Sequence, residues 1–291
     1  MESLAVLILT GNEEKNISKC LASIAPLRAK TYIVDSLSED RTVEIAESMD
    51  AIVRKRAWTT YADQFNWGLD NAGIAEQWIM RMDADEEITP ELASAIRDFL
   101  ENPPADVAGI YVRRRVYFMG QWIRHGGYYP TWLLRVFRNG QGRCETLFMD
   151  EHIVVRKGRT ISIHQDIIDK NNKDLTFWTD KHNKYASREI KDILNKERAI
   201  SDQSENSEVM QASVTGHQDT ARRWLKDKLY LRTPLFVRPF LYFIYRYFLR
   251  LGFLDGTRGL IFHFLQAFWY RFLVDAKLYE YRLQQRQKSD S

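Results

Sequence analysis

Gln77-Trp78-Ile79-Met80-Arg81-Met82-Asp83-Ala84-Asp85-Glu86-Glu87 is the stretch that decides the fold. Its first half is a short apolar run of the kind buried on both faces of a sheet, and it stops abruptly on carboxylates at i and i+2. Working outward toward the N-terminus, residues 61–75 carry a helical pattern, 51–54 a strand, 42–49 a helix, 31–35 a strand, 14–25 a helix and 4–10 a first buried strand. Toward the C-terminus, a helix over 91–100 follows Pro90, which suits a first turn. This alternation predicts an α/β, Rossmann-like, mainly parallel sheet. Asp83 and Asp85 would stand at its carboxyl edge, where such sheets bind ligands.

Farther along, residues 109–118 alternate, and 132–138 followed by Asn139-Gly140 predict a strand entering a hairpin turn, so part of the sheet should be antiparallel. Residues 171–223 are polar and helix-prone, with 201–207 so poor in apolar residues that they read as a loop. The expected division is a catalytic domain over 1–195, a polar linker over 196–223 and an aromatic-basic helical region over 224–291. No internal repeat is present.

At 291 residues and 45% hydrophobic, the chain can bury a full core. The formal charge of +3 is regional: residues 222–258 hold nine Lys/Arg against two Asp/Glu, leaving the rest net acidic. Two cysteines, Cys20 and Cys144, exclude a disulfide framework and a CxxC knuckle and favour a reducing compartment. The N-terminal run lacks the basic start and long apolar core of a secretory signal, which points to the cytoplasm. Between 239 and 272, Arg246, Arg250, Arg258 and Arg271 interrupt each apolar stretch before it reaches the roughly 18–20 residues of a spanning helix.

Two carboxylates at a sheet edge suit a hard divalent cation such as Mg²⁺ or Mn²⁺ whose remaining oxygens come from a diphosphate. An EF-hand starting at Asp83 is excluded, since Ile88 and Ser94 stand where Gly and Glu are needed. No basic or Ser/Thr motif supports an aspartyl nucleophile. A solvated turn before a helix is the plain competing reading. The first strand ends in Thr10-Gly11-Asn12-Glu13-Glu14 and the second in Asp35-Ser36, polar groups suited to a base and ribose. Asn12 serves equally as a helix N-cap, and Asp35 with Ser36, Ser38, Asp40 and Thr42 equally as turn chemistry.

As a set, Leu7-Ile8-Leu9-Thr10-Gly11-Asn12-Glu13-Glu14, Ile33-Val34-Asp35-Ser36-Leu37-Ser38-Glu39-Asp40-Arg41-Thr42 and Met80-Arg81-Met82-Asp83-Ala84-Asp85-Glu86 resemble family 2 glycosyltransferases of GT-A fold. The likeness covers roughly residues 3–190. It looks closest to the branch that includes lipopolysaccharide-core β-glucosyltransferases, with Trp58, Tyr61-Ala62, Gln64 and Asn66 in that branch's pattern. The resemblance implies inverting transfer from a nucleoside diphosphate sugar, with UDP the expected nucleotide. Thr10, Asn12, Glu13, Asp35 and Asn66 would then hold the nucleotide, Asp83 the ribose or diphosphate, and Asp85 the metal. Gly11 departs from the many members that carry an aromatic residue there.

Inversion requires a carboxylate that takes the acceptor hydroxyl's proton. Asp150-Glu151-His152, ahead of an apolar strand over 152–155, is the best candidate. The resemblance favours Glu151, with Asp150 the runner-up. Neighbours on a strand face opposite ways, so one of them acts. The loop His125-Gly126-Gly127-Tyr128-Tyr129-Pro130 is assigned to the acceptor side, through His125, Tyr128 and Tyr129. His164 is weighed as a further metal ligand against a structural role, and Arg135 and Arg138 as phosphate contacts against salt bridges.

In the C-terminal region Arg238, Tyr242, Arg246 and Arg250 recur at four-residue spacing beside Phe236, Phe240, Phe243, Tyr247 and Leu251, and residues 260–270 repeat the type. Such helices lie in the headgroup layer of anionic lipids, and many members of the family extend a lipid-linked glycan. A helical hairpin packed on the catalytic domain and a homo-oligomer interface compete. The unbroken apolar area argues against nucleic acid. The leading expectation is a glycosyltransferase on the inner face of the cell membrane. An inactive nucleotide-binding scaffold is the alternative. A sugar-nucleotide nucleotidyltransferase is disfavoured, because no glycine-rich basic loop lies between Leu9 and Lys19.

Overall fold

The computed structural model describes residues 1–145, 152–202 and 233–289, in two compact units, Met1–Asp174 and Leu175–Ser291. The first unit runs β1 (Leu4–Thr10), α1 (Ile17–Ile24), β2 (Lys30–Asp35), α2 (Thr42–Ser48), β3 (Ile52–Lys55), α3 (Tyr61–Asn71), β4 (Trp78–Asp83), β5 (Glu86–Ile88) and α4 (Pro90–Glu101). It continues with β6 (Val107–Phe118), β7 (Gln121–Ile123), β8 (Thr131–Arg138), β9 (Gly142–Cys144), β10 (Ile153–Val155) and β11 (Arg159–Asp169). The main sheet has the order β3-β2-β1-β4-β8-β6-β11-β5, with β7 paired to β6. Its first four strands are parallel. β8 is antiparallel to both neighbours, and β5 is antiparallel to β11. The mixed α/β architecture of the GT-A type is as expected. The turn after Arg138 forms, but the returning strand β9 pairs with β10 in a separate two-stranded sheet.

β1 reads as an uninterrupted apolar run because both its faces are covered. Val6 and Ile8 pack with Ile17 and Leu21 of α1 and Leu92 and Ile96 of α4. Leu7 and Leu9 pack on the other side with Phe65 of α3 and Phe137 of β8. Each fully buried side chain of this kind contributes roughly 1.5–3 kcal/mol. α1 begins later than its pattern suggests, because Asn16 turns its amide to Glu13 Oε2 at 2.7 Å. It gives way to a 3₁₀ turn, Ala25–Leu27, at Pro26. α4 starts as predicted, with Thr89 accepting from Leu92 N and Pro90 in the first turn.

One irregularity positions the site. β6 pairs Ile110 with Val136 but Tyr111 with Leu134, which leaves Arg135 as the extra residue of a bulge on β8. Bulges re-aim side chains, and Arg135 is 3% exposed.

In the second unit, α5 (Leu175–Asp202) runs through residue 195, where the sequence suggested a boundary. Its Ala186, Ile190 and Ile193 pack on Tyr270, Val274 and Leu278 of the helix Tyr270–Ser289. Linker residues 203–223, and the expected helical region up to residue 232, lie outside the described residues. Helices Val237–Ile244 and Gly256–His263 each pass into a π-helical turn, Tyr245–Leu249 and Phe264–Trp269. The cationic stripe is not built as its spacing implied. Arg238 is buried in an ion pair with fully buried Asp275, which also accepts from Phe236 N at 2.8 Å. Arg246 turns back to the Tyr242 hydroxyl at 2.9 Å. Of the four positions only Arg250 stays exposed. Around it Phe240, Leu241, Ile244, Phe248, Leu249 and Leu254 are exposed, Leu249 at 71%. No described helix is long and apolar enough to cross a membrane.

Candidate functional site

The carboxyl ends of β2, β1 and β4 set the frame. Thr10 lies opposite Asp35 on one side and Leu9 opposite Asp83 on the other, so the two acidic positions are two strand spacings apart, about 10 Å. Asp35 is fully buried. It accepts from Thr10 Oγ1 at 2.7 Å, Ser38 N at 2.8 Å and Ser38 Oγ at 2.5 Å. Turn chemistry therefore already engages this carboxylate. Asn12, at φ +56°, caps no helix: its N–H donates to Ser38 Oγ at 2.8 Å and its Oδ1 accepts from Glu39 N at 2.9 Å. It ties the two strand-end loops together. Glu13 accepts from Lys173 Nζ at 2.7 Å and Asn16 Nδ2 at 2.7 Å. Burial pushes its carboxyl up, against the lowering effect of those two bonds.

Asp83 is engaged through both oxygens. The Tyr61 hydroxyl donates to Oδ1 at 2.6 Å, and Arg135 Nη2 to Oδ2 at 3.1 Å. Arg81 lies 3.9 Å away, its guanidinium 4.3 Å from the centroid of the Tyr61 ring. Arg135 also ion-pairs with Glu86, which is 1% exposed and accepts from Asp83 N at 2.9 Å. One guanidinium thus serves two carboxylates. Burial alone would raise Asp83, but Arg135, Arg81 and the Tyr61 hydroxyl hold it well below the carboxylate range. Burial raises Glu86, Arg135 opposes that, and the charges on Asp83 and Asp169 add to the rise. Asp85, one turn on, is half-buried and accepts from Asn171 Nδ2 at 2.8 Å.

These environments test the metal assignment. Asp85 offers a hard carboxylate at the strand edge, which fits Mg²⁺ or Mn²⁺ bound mainly by diphosphate oxygens. Asp83 is a weaker ligand candidate, since Tyr61 and Arg135 hold it. His164 is not gathered with either: it lies in the irregular part of β11, its ring edge-on to Trp132 at 5.0 Å. Among the described residues no group of three or more His, Cys, Asp and Glu is placed to hold a metal ion.

Asn66 has another job than the one expected of it. Its Nδ2 donates to Cys144 O at 2.9 Å and its Oδ1 accepts from Cys144 N at 3.0 Å, pinning β9 to α3. Glu145 N in turn donates to His152 O at 2.9 Å. These bonds fix both flanks of the segment that carries Asp150 and Glu151, which themselves lie outside the described residues. In the acceptor loop, Gly126 and Gly127 take positive φ. The Tyr129 hydroxyl donates to buried Asp166 at 2.9 Å, so that hydroxyl is already engaged, and the Arg113 guanidinium lies 5.5 Å from the ring centroid. His125 and Tyr128 are half-buried beside it.

Sequence reasoning passed over Arg81 and Glu86, and it left Arg135 between phosphate and salt bridge. A charged residue inside an apolar strand was the available signal. A cavity of about 720 Å³ lined by Glu2, Lys30, Glu76 and Arg97 opens at the opposite, amino-terminal edge and contains none of the candidate residues.

A family model described as glycosyl transferase family 2 matches residues 5–156. An uncharacterized glycosyltransferase of Rickettsia felis is 34% identical over 96 residues, covering 33% of this chain and 33% of that one. One from Rickettsia typhi is 31% identical over 96 residues, covering 33% and 32%. The match thus spans about a third of the length of these curated relatives. Among solved structures, Staphylococcus aureus TarS 1–349 in complex with UDP is similar over 48% of this chain and 47% of its own, at 17% identity and a TM-score of 0.37. Mycobacterium tuberculosis glucosyl-3-phosphoglycerate synthase, solved with Mn²⁺, UDP and glucosyl-3-phosphoglycerate, is similar over 40% and 44%, at 19% identity and a TM-score of 0.33.

Proposed function

The chain belongs to glycosyl transferase family 2, and from that membership we propose that it moves a sugar, with inversion, from a UDP-sugar to a hydroxyl of a lipid-linked or lipopolysaccharide-core glycan at the inner face of the cell membrane. The observation that carries this reading is the arrangement of Asp35 and the Asp83–Asp85 pair at the ends of strands flanking β1. Thr10 and Asp35 line the nucleoside side. Asp83, held ionised by Arg135 and Tyr61, orients the ribose or diphosphate. Asp85 holds the cation, whose contribution is to neutralise the departing diphosphate. Glu151, with Asp150 as the alternative, takes the proton from the acceptor hydroxyl. The apolar surface around Leu249 and Arg250 keeps the enzyme on anionic lipid, where the acceptor resides.

The test is release of UDP from a panel of UDP-sugars by the full chain with Mn²⁺. Asp85→Ala should reduce it on the order of 10²–10³-fold, as loss of a major electrostatic group does. Undiminished release in that variant overturns the metal assignment. Glu151→Gln and Asp150→Asn separate the two candidate bases: the true one lowers kcat by about 10²–10⁴ and leaves UDP binding unchanged.

A further inference from the structure

Arg113 and Arg115 project from β6 at the carboxyl edge of the sheet, and both pair with Asp166 of β11, Arg113 at 3.1 Å and Arg115 at 2.5 Å. Asp166 is 3% exposed and also accepts from Tyr129, so one enclosed carboxylate answers two guanidiniums. A third, Arg124, is exposed and has no acidic partner among the described residues. Arg115 and Arg124 both stack on the Trp122 indole, 4.7 and 4.4 Å from its centroid. Stacking holds a guanidinium in a set plane, which pre-organises its donors for an anion. The Arg115 Nε–H and the Trp122 indole N–H are enclosed and meet no acceptor among the described residues.

The cluster is not the donor diphosphate site. Arg113 lies opposite Trp132 of β8, three residues from Arg135, or about 10 Å along the strand. Asp83 lies beyond Arg135, on the far side of β8, and Asp85 meets Lys170 and Asn171, four and five residues past Asp166.

We infer that Arg113, Arg115 and Arg124 around Trp122 form an acceptor-side subsite for an anionic group, phosphate or carboxylate, carried by the glycan about 10 Å along the strand direction from Arg135. This rests on the glycosyl transfer proposed above. It adds that the acceptor is an acidic or phosphorylated sugar chain, recognised by forked donors on a stacked platform.

The experiment titrates the full chain with glucose 6-phosphate, glucuronate and glucose at low salt, with and without saturating UDP and Mn²⁺. One or both charged sugars should bind at least about fivefold tighter than glucose, weaken as salt rises, and be indifferent to UDP. The phosphate and carboxylate arms identify which group the subsite takes. Arg124→Gln and Arg115→Gln should each loosen the charged sugar about fivefold with UDP affinity intact; Arg113 still answers Asp166 in the second. Equal affinity for glucose, displacement by UDP, or no change in either variant overturns the inference. If Arg115→Gln fails to fold, Arg124→Gln decides alone, since that side chain is exposed. UDP binding in every arm separates failure here from failure of the donor site.

Discussion

The two units dispose of their unusual residues in opposite ways. At the sheet edge of the first, charged groups are drawn inward and answered: Arg135 is held between Asp83 and Glu86, and Asp35 by Thr10 and Ser38. In the second, large apolar groups are turned outward, with Phe240, Phe248, Leu249 and Leu254 all more than half exposed. A buried charge network makes a rigid site of defined geometry. An exposed apolar surface of this kind marks a place that meets something apolar. The contrast separates a part built to hold shape from a part built to be covered.

The most severe way to break the comparison is Arg135→Met. Removing a buried cation that serves two carboxylates should cost about 3–5 kcal/mol of stability, seen as a lower denaturation midpoint. A midpoint that does not move would mean the network is ornamental. Asn66→Ala, which removes the bonds its side chain makes to both backbone groups of Cys144, should cost about 1–3 kcal/mol and raise hydrogen exchange at β9 and β10. On the other side of the comparison, Phe248→Ser with Leu249→Ser should leave stability within about 0.5 kcal/mol yet abolish flotation with anionic vesicles. Loss of stability there would show that these side chains pack on protein.

The subtlest effect is one of pH. Glu86 has a raised pKa, so the folded state keeps its proton above 4.5, where the unfolded chain loses it. Its contribution favours folding in acid and fades as pH rises from that value. Asp83, depressed from 3.8, acts in the reverse sense and loses its contribution as pH falls through that range. Glu86→Gln should flatten the decline above pH 4.5 and leave the acid limb intact, measured as stability against pH.

What the sequence disclosed follows from how local each signal is. β1, β2 and β4 are legible because a buried strand announces itself as a continuous apolar run, and the placement of Asp83 and Asp85 follows from where that run ends. β5 and β11 are not, because Glu86–Ile88 becomes a strand only by pairing with Ile167, Ile168 and Asp169, some eighty positions away. Asn66 was marked by its pattern, but its bonds to Cys144 were not legible, since that partner is equally distant in the chain. Four-residue spacing of Arg238, Tyr242, Arg246 and Arg250 suggested an outward cationic stripe. Asp275 draws the first of them inside, a contact no local pattern foretells.

The extra residue in β8 carries a consequence for how this chain can drift. Which side of a strand a residue occupies is a matter of parity, and the bulge at Arg135 resets the count for Val136 and Phe137, which fill opposite cores. Deleting one residue there would exchange those two side chains and aim a different one at the carboxylates. Natural variants should therefore alter the letters of 131–138 far more readily than their number, and a single-residue deletion should be more damaging than any substitution of Arg135 itself.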